Sequence, residues 1–193
     1  MKAKLLGAAL LAALALAACG GKASFTVSGT IIGLTNQGLV LQNNGADPLP
    51  VQAGATSFSF PNSISYGKEY NVTVKTHPEH MTCEPQNGTG SAGRTASINV
   101  VINCAQNTYA LGGTISNLKG EGLVLINGSA GGQLALAKDA TEFTMGQIPV
   151  GTAYGLSVLT QPKNPTQQCT IANGTGVMGD GDRRNVIITC VTL

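Results

Sequence analysis

Apolar residues recur at every second position through most of the chain after residue 24. Phe25, Val27 and Ile31 share one parity; Phe58 and Phe60 share another run, as do Tyr70, Val72 and Val74, and then Ile98, Val100, Ile102 and Cys104. A period of two puts these side chains on one face of a strand, the other face being polar. The runs are short, spaced by roughly 8–12 residues and separated by Gly, Asn and Pro, which is the pattern of an antiparallel β-sandwich. No stretch between residues 25 and 193 carries a convincing helical period. The expected fold class is therefore all-β.

The pattern is written twice. "SGTIIGLTNQGLVLQNN" at 28–44 matches "GGTISNLKGEGLVLING" at 112–128, and "GKEYNVTVKTHP" at 67–78 matches "GTAYGLSVLTQP" at 151–162, both at a shift of 84 residues. After a two-residue insertion, "CEPQNGTG" at 83–90 matches "CTIANGTG" at 169–176 at a shift of 86. Two copies of this size predict tandem modules, 25–106 and 107–193, rather than a solenoid. The junction "AQNTY" at 105–109 is so short that strand must follow strand almost at once, restricting any hinge.

Each copy holds two cysteines twenty-one positions apart, and parity places Cys104 and Cys190 on the core face with the neighbouring Val and Ile residues, and Cys169 with Ile171. The repeat predicts the pairs Cys83–Cys104 and Cys169–Cys190, facing each other across neighbouring strands. A hairpin carrying the first pair centres near Gly93-Arg94, and its counterpart near Gly179-Asp180. Asn87-Gly88 and Asn173-Gly174 compete for the turn, because Asn-Gly is a strong hairpin signal. Modules of about 85 residues bury only some 60–65% of their unfolded surface. Closing a loop of about twenty residues stabilises each by roughly 3 kcal/mol in the chain-entropy model.

The first residues, "MKAKLLGAALLAALALAAC", place Lys2 and Lys4 before an apolar run from Leu5 to Ala18. That is the layout of a secretory signal, and the run is short for a membrane span. "LAAC" at 16–19 resembles the bacterial lipobox, which implies cleavage after residue 18 and lipidation, including palmitate, at Cys19. Gly20 rather than Asp follows the cysteine, and in that family this implies the outer membrane. Residues 19–24 then form a tether. Four cysteines remain for disulfides, which persist in an oxidising periplasm. Without Lys2 and Lys4, nine cationic residues face nine acidic ones. A neutral chain has no field for nucleic acid, whose binding depends on clustered cations.

"GLVLQNNG", "FSF", "YNVTVKTHP", "C…NGTG" and the closing strand "VVINC" resemble a repeat of bacterial surface and outer-membrane lipoproteins. Their order is also similar to prealbumin-like and carboxypeptidase-regulatory-like sandwiches, a subset of immunoglobulin-like architectures. The resemblance covers Phe25 to Val191. It implies modules that serve as spacers, stalks or binding units, and it assigns no functional residue, since its motifs are core, turn and disulfide positions.

Candidate chemistry is sparse. His77 and His80, in "HPEHMTCE", are weak metal candidates, because the zinc motif with two histidines needs a helix and Pro78 lies between these two. The second copy has Gln161 and Asn164 there, and a solvated loop is the expectation. Asp180 and Asp182 in "GDGDRR" read as a charged hairpin tip, since the first copy has Arg94 and Ala96 and no later acid completes a calcium loop. No G-x-S-x-G elbow is present, and no pair among the dispersed acids is preferred for hydrolysis. No cofactor is implied. The expectation is a non-catalytic, outer-membrane-anchored structural or interaction protein whose partners are the membrane and an envelope protein or glycan. The alternative is a carbohydrate- or protein-binding, adhesin-like module, for which Tyr66, Tyr109 and Phe143 are the candidate contact residues if exposed.

Overall fold

A computed structural model of the chain describes residues 23–128 and 132–193. The proposed signal and Cys19 lie outside the described residues. Within them the regular structure is strand alone, in sixteen segments. The first eight are β1 (Ser24–Ile32), β2 (Val40–Asn43), β3 (Ala46–Pro50), β4 (Ser57–Ser65), β5 (Glu69–Thr76), β6 (Met81–Gln86), β7 (Thr89–Ser91) and β8 (Ile98–Gln106). The second eight are β9 (Thr108–Ser116), β10 (Leu123–Asn127), β11 (Gln133–Leu136), β12 (Glu142–Pro149), β13 (Ala153–Thr160), β14 (Gln167–Ala172), β15 (Thr175–Val177) and β16 (Arg183–Thr192).

The strands form four sheets, two per module, in matching order. Module 1 pairs β4-β1-β8-β6 with β3-β2-β5-β7, and module 2 pairs β12-β9-β16-β14 with β11-β10-β13-β15. The inward residues of each pair of sheets meet in a core of their own. Val27, Leu41, Phe60, Val72, Val100 and Ile102 lead the first, and Leu111, Leu123, Leu125, Leu156, Val186 and Ile188 the second. The extensive strand-on-strand packing lies within each module. The period-two runs therefore mark the buried faces.

One pairing per module is not antiparallel. The first and last strands run side by side in parallel, β1 with β8 and β9 with β16. Parallel neighbours need a long connection, and here the whole module serves as that connection. The chain consequently enters a module at one end, called proximal below, and leaves at the other, the distal end. Gly29 and Gly113 lie in this closing pair. A Cβ on either would overlap the carbonyl oxygen of Val100 or Val186, so the first strand approaches the last through a glycine.

Each module carries one disulfide. Cys83 lies opposite Cys104 between β6 and β8, Cys169 opposite Cys190 between β14 and β16, and both pairs are bonded. The connection between paired cysteines is not a hairpin of either expected kind. After Gln86 the chain turns at Asn87, whose φ is 55°, and crosses to the opposite sheet, where β7 pairs with β5. It then returns through Gly93 to β8. Asn173, with φ 57°, makes the same crossing to β15 on β13. Asn-Gly marks a change of sheet, and Gly93-Arg94 and Gly179-Asp180 belong to the return. The disulfide fastens an edge strand, β6 or β14, to the strand that closes the module.

Candidate functional site

No cleft gathers chemistry among the described residues. Two depressions in their surface are open to solvent. One of about 380 Å³ lies beside Glu142, Thr144 and Arg184; another of about 520 Å³ lies beside Asn44, Glu69, Tyr70 and Arg94. Among the described residues no three His, Cys, Asp or Glu side chains converge as metal ligands do. What the structure does bring together is the distal end of module 1 and the proximal end of module 2.

Only Asn107 separates β8 from β9, and it is held from both sides. Its N–H donates to the His80 carbonyl at 2.8 Å, and its carbonyl accepts from the Val150 N–H at 2.9 Å. Thr82 Oγ1 donates to Asn107 Oδ1 at 2.8 Å, and Gln106 Nε2 donates to the Val150 carbonyl at 3.2 Å. Beyond the backbone, His80 Nδ1 lies 2.8 Å from Asp180 Oδ1 and 2.7 Å from Oδ2. The contact is a hydrogen bond with the neutral ring and an ion pair with the protonated one. Both side chains are about half exposed, at 45% and 51%, so the pair adds little stability and mainly fixes orientation.

Local structure aims these groups. His80 sits between β5 and β6 with a φ of 60°, a left-handed conformation in which Asn, Asp and His are the commoner non-glycine residues. Asp180 is carried by the loop before β16, which Asp182 pins to β9: Oδ1 accepts from the Ala110 N–H at 2.9 Å, and Oδ2 from Arg184 Nη2 at 2.9 Å. The Ala110 amide, and after it Arg184, hold the Asp182 carboxyl below the usual carboxylate range. Asp139, bonded to Lys119 Nζ at 2.7 Å, is lowered in the same way by that contact.

The two histidines do lie in an exposed loop, as expected, and each also has a partner there. His77 Nδ1 accepts the Cys83 N–H at 3.1 Å. Gln161, its counterpart, binds both backbone groups of Cys169, at 2.8 Å through Oε1 and 3.1 Å through Nε2. Each side chain supports the outer cysteine strand, a role shared by two different residues. Asp180 and Asp182 lie in an exposed, charged turn as expected, but it is not a hairpin tip, because β15 pairs with β13 and β16 with β14.

The aromatic candidates are scattered. Phe143 is buried in the second core, and Tyr109 is partly buried against it. Only Tyr66 of the three is well exposed, at 70%. Its ring lies over Gly93, where a Cβ would overlap it, and its centroid is 6.4 Å from that of Phe25. The junction itself is what sequence reasoning misses. A signal for it does exist in the aligned copies, since the proximal-end residues Tyr66 and Arg94 of the first become Val150 and Asp180 in the second.

No protein-family model matches the chain, and no curated protein sequence does. Among solved structures, the major pilin protein of Streptococcus pyogenes is similar over 89% of this chain and 97% of that one, at 11% identity and a TM-score of 0.28. A superposition that loose carries no argument about what this chain does. The fold stands on its own strands and ladders.

Proposed function

We propose that the protein is a lipid-anchored envelope lipoprotein, bound through Cys19 to the outer membrane, that serves as a non-catalytic structural or interaction element. The observation that carries this reading is the through-running topology. Because β1 and β8 are parallel, as are β9 and β16, each module passes the chain from its proximal to its distal end. A closing strand of nine residues spans roughly 30 Å. Two such modules joined through one residue make a directional spacer. Separate cores, a disulfide in each module and a tied junction all suit an element that holds distance and orientation. The two depressions described are open rather than enclosing.

The adhesin-like alternative draws less support. A sugar platform needs adjoining exposed aromatic faces, and of its three candidates only Tyr66 is well exposed.

The test is mass spectrometry of the N-terminal peptide from exported protein, with fractionation of a Cys19→Ser variant. The expected result is an acylated Cys19 and release of the variant from the membrane fraction. An unmodified cysteine, or a variant that stays membrane-bound, would refute the anchor.

A further inference from the structure

The proximal end of module 2 is a docking face. Val150, only 9% exposed, and Asp180 meet module 1 there. The same end of module 1 is built on the same backbone. Tyr66 N–H donates to the Ala23 carbonyl as Val150 N–H does to that of Asn107, and Gly67 N–H donates to the Ala92 carbonyl as Gly151 N–H does to that of Met178. The side chains at this end differ. Tyr66 replaces Val150, Lys68 replaces Thr152 and Arg94 replaces Asp180.

Two of the replacements add positive charge, and the third adds a large amphipathic ring. An acidic group suited to His80 becomes a guanidinium, a hydroxyl becomes an ammonium, and a small apolar residue becomes a large one with a polar tip. Lys68 and Arg94 are exposed. Glu69, beside Arg94 in the 520 Å³ depression, is the acidic neighbour. Tyr66 is not a loose side chain, since Phe25 and the Gly93 backbone support its ring while 70% of it faces outward. Tyrosine favours the membrane–water interface, with the ring among headgroups and the hydroxyl in water. Lysine and arginine near an anionic leaflet each add attraction that fades over about a Debye length, 8–10 Å.

The chain outside the structure decides the occupant. Ala23, at the centre of this face, lies four residues after Cys19, so even a fully extended tether reaches roughly 14 Å. We infer that the proximal face of module 1 docks on the bilayer surface, with Tyr66 seated in the headgroup layer and Lys68 and Arg94 on lipid phosphates. The inference rests on the anchor at Cys19. It assigns to the membrane the place that module 1 takes beneath module 2, and directs the distal ends away from the lipid.

The chain contains no tryptophan, so Tyr66→Trp installs a single reporter at an exposed position. The lipidated full-length variant is placed in vesicles of phosphatidylethanolamine with a minority of phosphatidylglycerol, some carrying bromines on the acyl chains near the headgroup. The expected result is blue-shifted emission that shallow bromines quench, and no such change for Thr166→Trp at the distal end of module 2. The unaltered protein gives a second reading: amides 66–68 and 92–94 should exchange more slowly in vesicles than in detergent micelles. If Cys19 carries no lipid, the anchor and this inference fall together. If it does, and the indole emits as in water with exchange unchanged, the docking inference alone is overturned. A concentration-dependent blue shift without vesicles would also overturn it, in favour of a second copy of the chain.

Discussion

The two modules share a skeleton to the level of individual hydrogen bonds, yet they differ in how each fills its core and finishes its ends. In module 1 the stretch 58–60 supplies Phe58 and Phe60, whose rings meet edge to face at 5.8 Å. In module 2 the same places hold Phe143, buried, and Met145, only partly buried. At the distal end, Met81 in the first module is replaced by Gln167 in the second. Gln167 is 2% exposed, and its amide binds Lys119 N–H, Gly120 N–H and the Asn117 carbonyl, each at 2.8 Å. Duplication thus preserved the register and let the closures diverge. A backbone ladder tolerates many side chains, whereas each end must satisfy whatever it faces.

The largest test of that difference lies in the cores. Phe60→Ala should destabilise module 1 by about 3–5 kcal/mol, the usual loss for a buried aromatic, because the ring is 2% exposed and the neighbouring Phe58 cannot fill its volume. Met145→Ala should cost clearly less, since part of that side chain already faces solvent. Urea unfolding of each variant measures both. Equal losses would mean that the two cores rely on this position alike, and the contrast would fail.

Next come the disulfides, where the modules should agree. Both loops span 21 residues, so replacing either pair with alanine should remove about 3 kcal/mol through the unfolded state. The native contexts differ, since Cys190 is buried and Cys104 is only partly so. A loss much larger for Cys169→Ala/Cys190→Ala than for Cys83→Ala/Cys104→Ala would show that packing, rather than loop closure, dominates. Urea midpoints of the two double variants decide it.

Much of this architecture is legible in parity and repeat alone. The strand faces, the two copies and the partnering of cysteines within each follow from alternation at Val100, Ile102 and Cys104 and from its echo at Val186, Ile188 and Cys190. Direction does not follow, because a period of two tells which face a residue occupies and not which way its neighbour runs. The parallel closing pair is therefore invisible to it, and with that pair the separation of chain entrance from chain exit. Asn87-Gly88 misleads for a related reason: left-handed backbone serves a sheet change as well as a hairpin. His80 and Asp180 are solvent-facing as read, but their contact is not legible because it spans 100 residues, and only the approach of one module to the other brings them together.

The smallest effects belong to that junction, and they distinguish orientation from stability. His80→Ala removes a half-exposed contact, so it should leave the unfolding of either module unchanged within about 0.5 kcal/mol. It should nevertheless hasten protease cleavage near Asn107, because the loop bearing Asp180 is then free to separate from module 1. Asp182, in the loop that bears Asp180, contributes a pH dependence whose sign is fixed. Its folded carboxyl titrates below the ordinary value of 3.8, the Ala110 amide being the main cause. Stability from this group is complete above the unfolded value and is lost as pH falls through the lower folded one. Asp182→Asn keeps an oxygen for Ala110 but abolishes the titration, so the acid limb below about pH 4 should flatten. Ala96, the counterpart in module 1, offers no carboxylate, and that module should show no matching change. Urea midpoints at pH 7 and pH 3, read beside cleavage at Asn107, separate the two outcomes. A junction that loosens in acid while both modules stay folded would place the sensitivity in the loop that presents Asp180, whereas unchanged cleavage would assign Asp182 to the stability of module 2 alone.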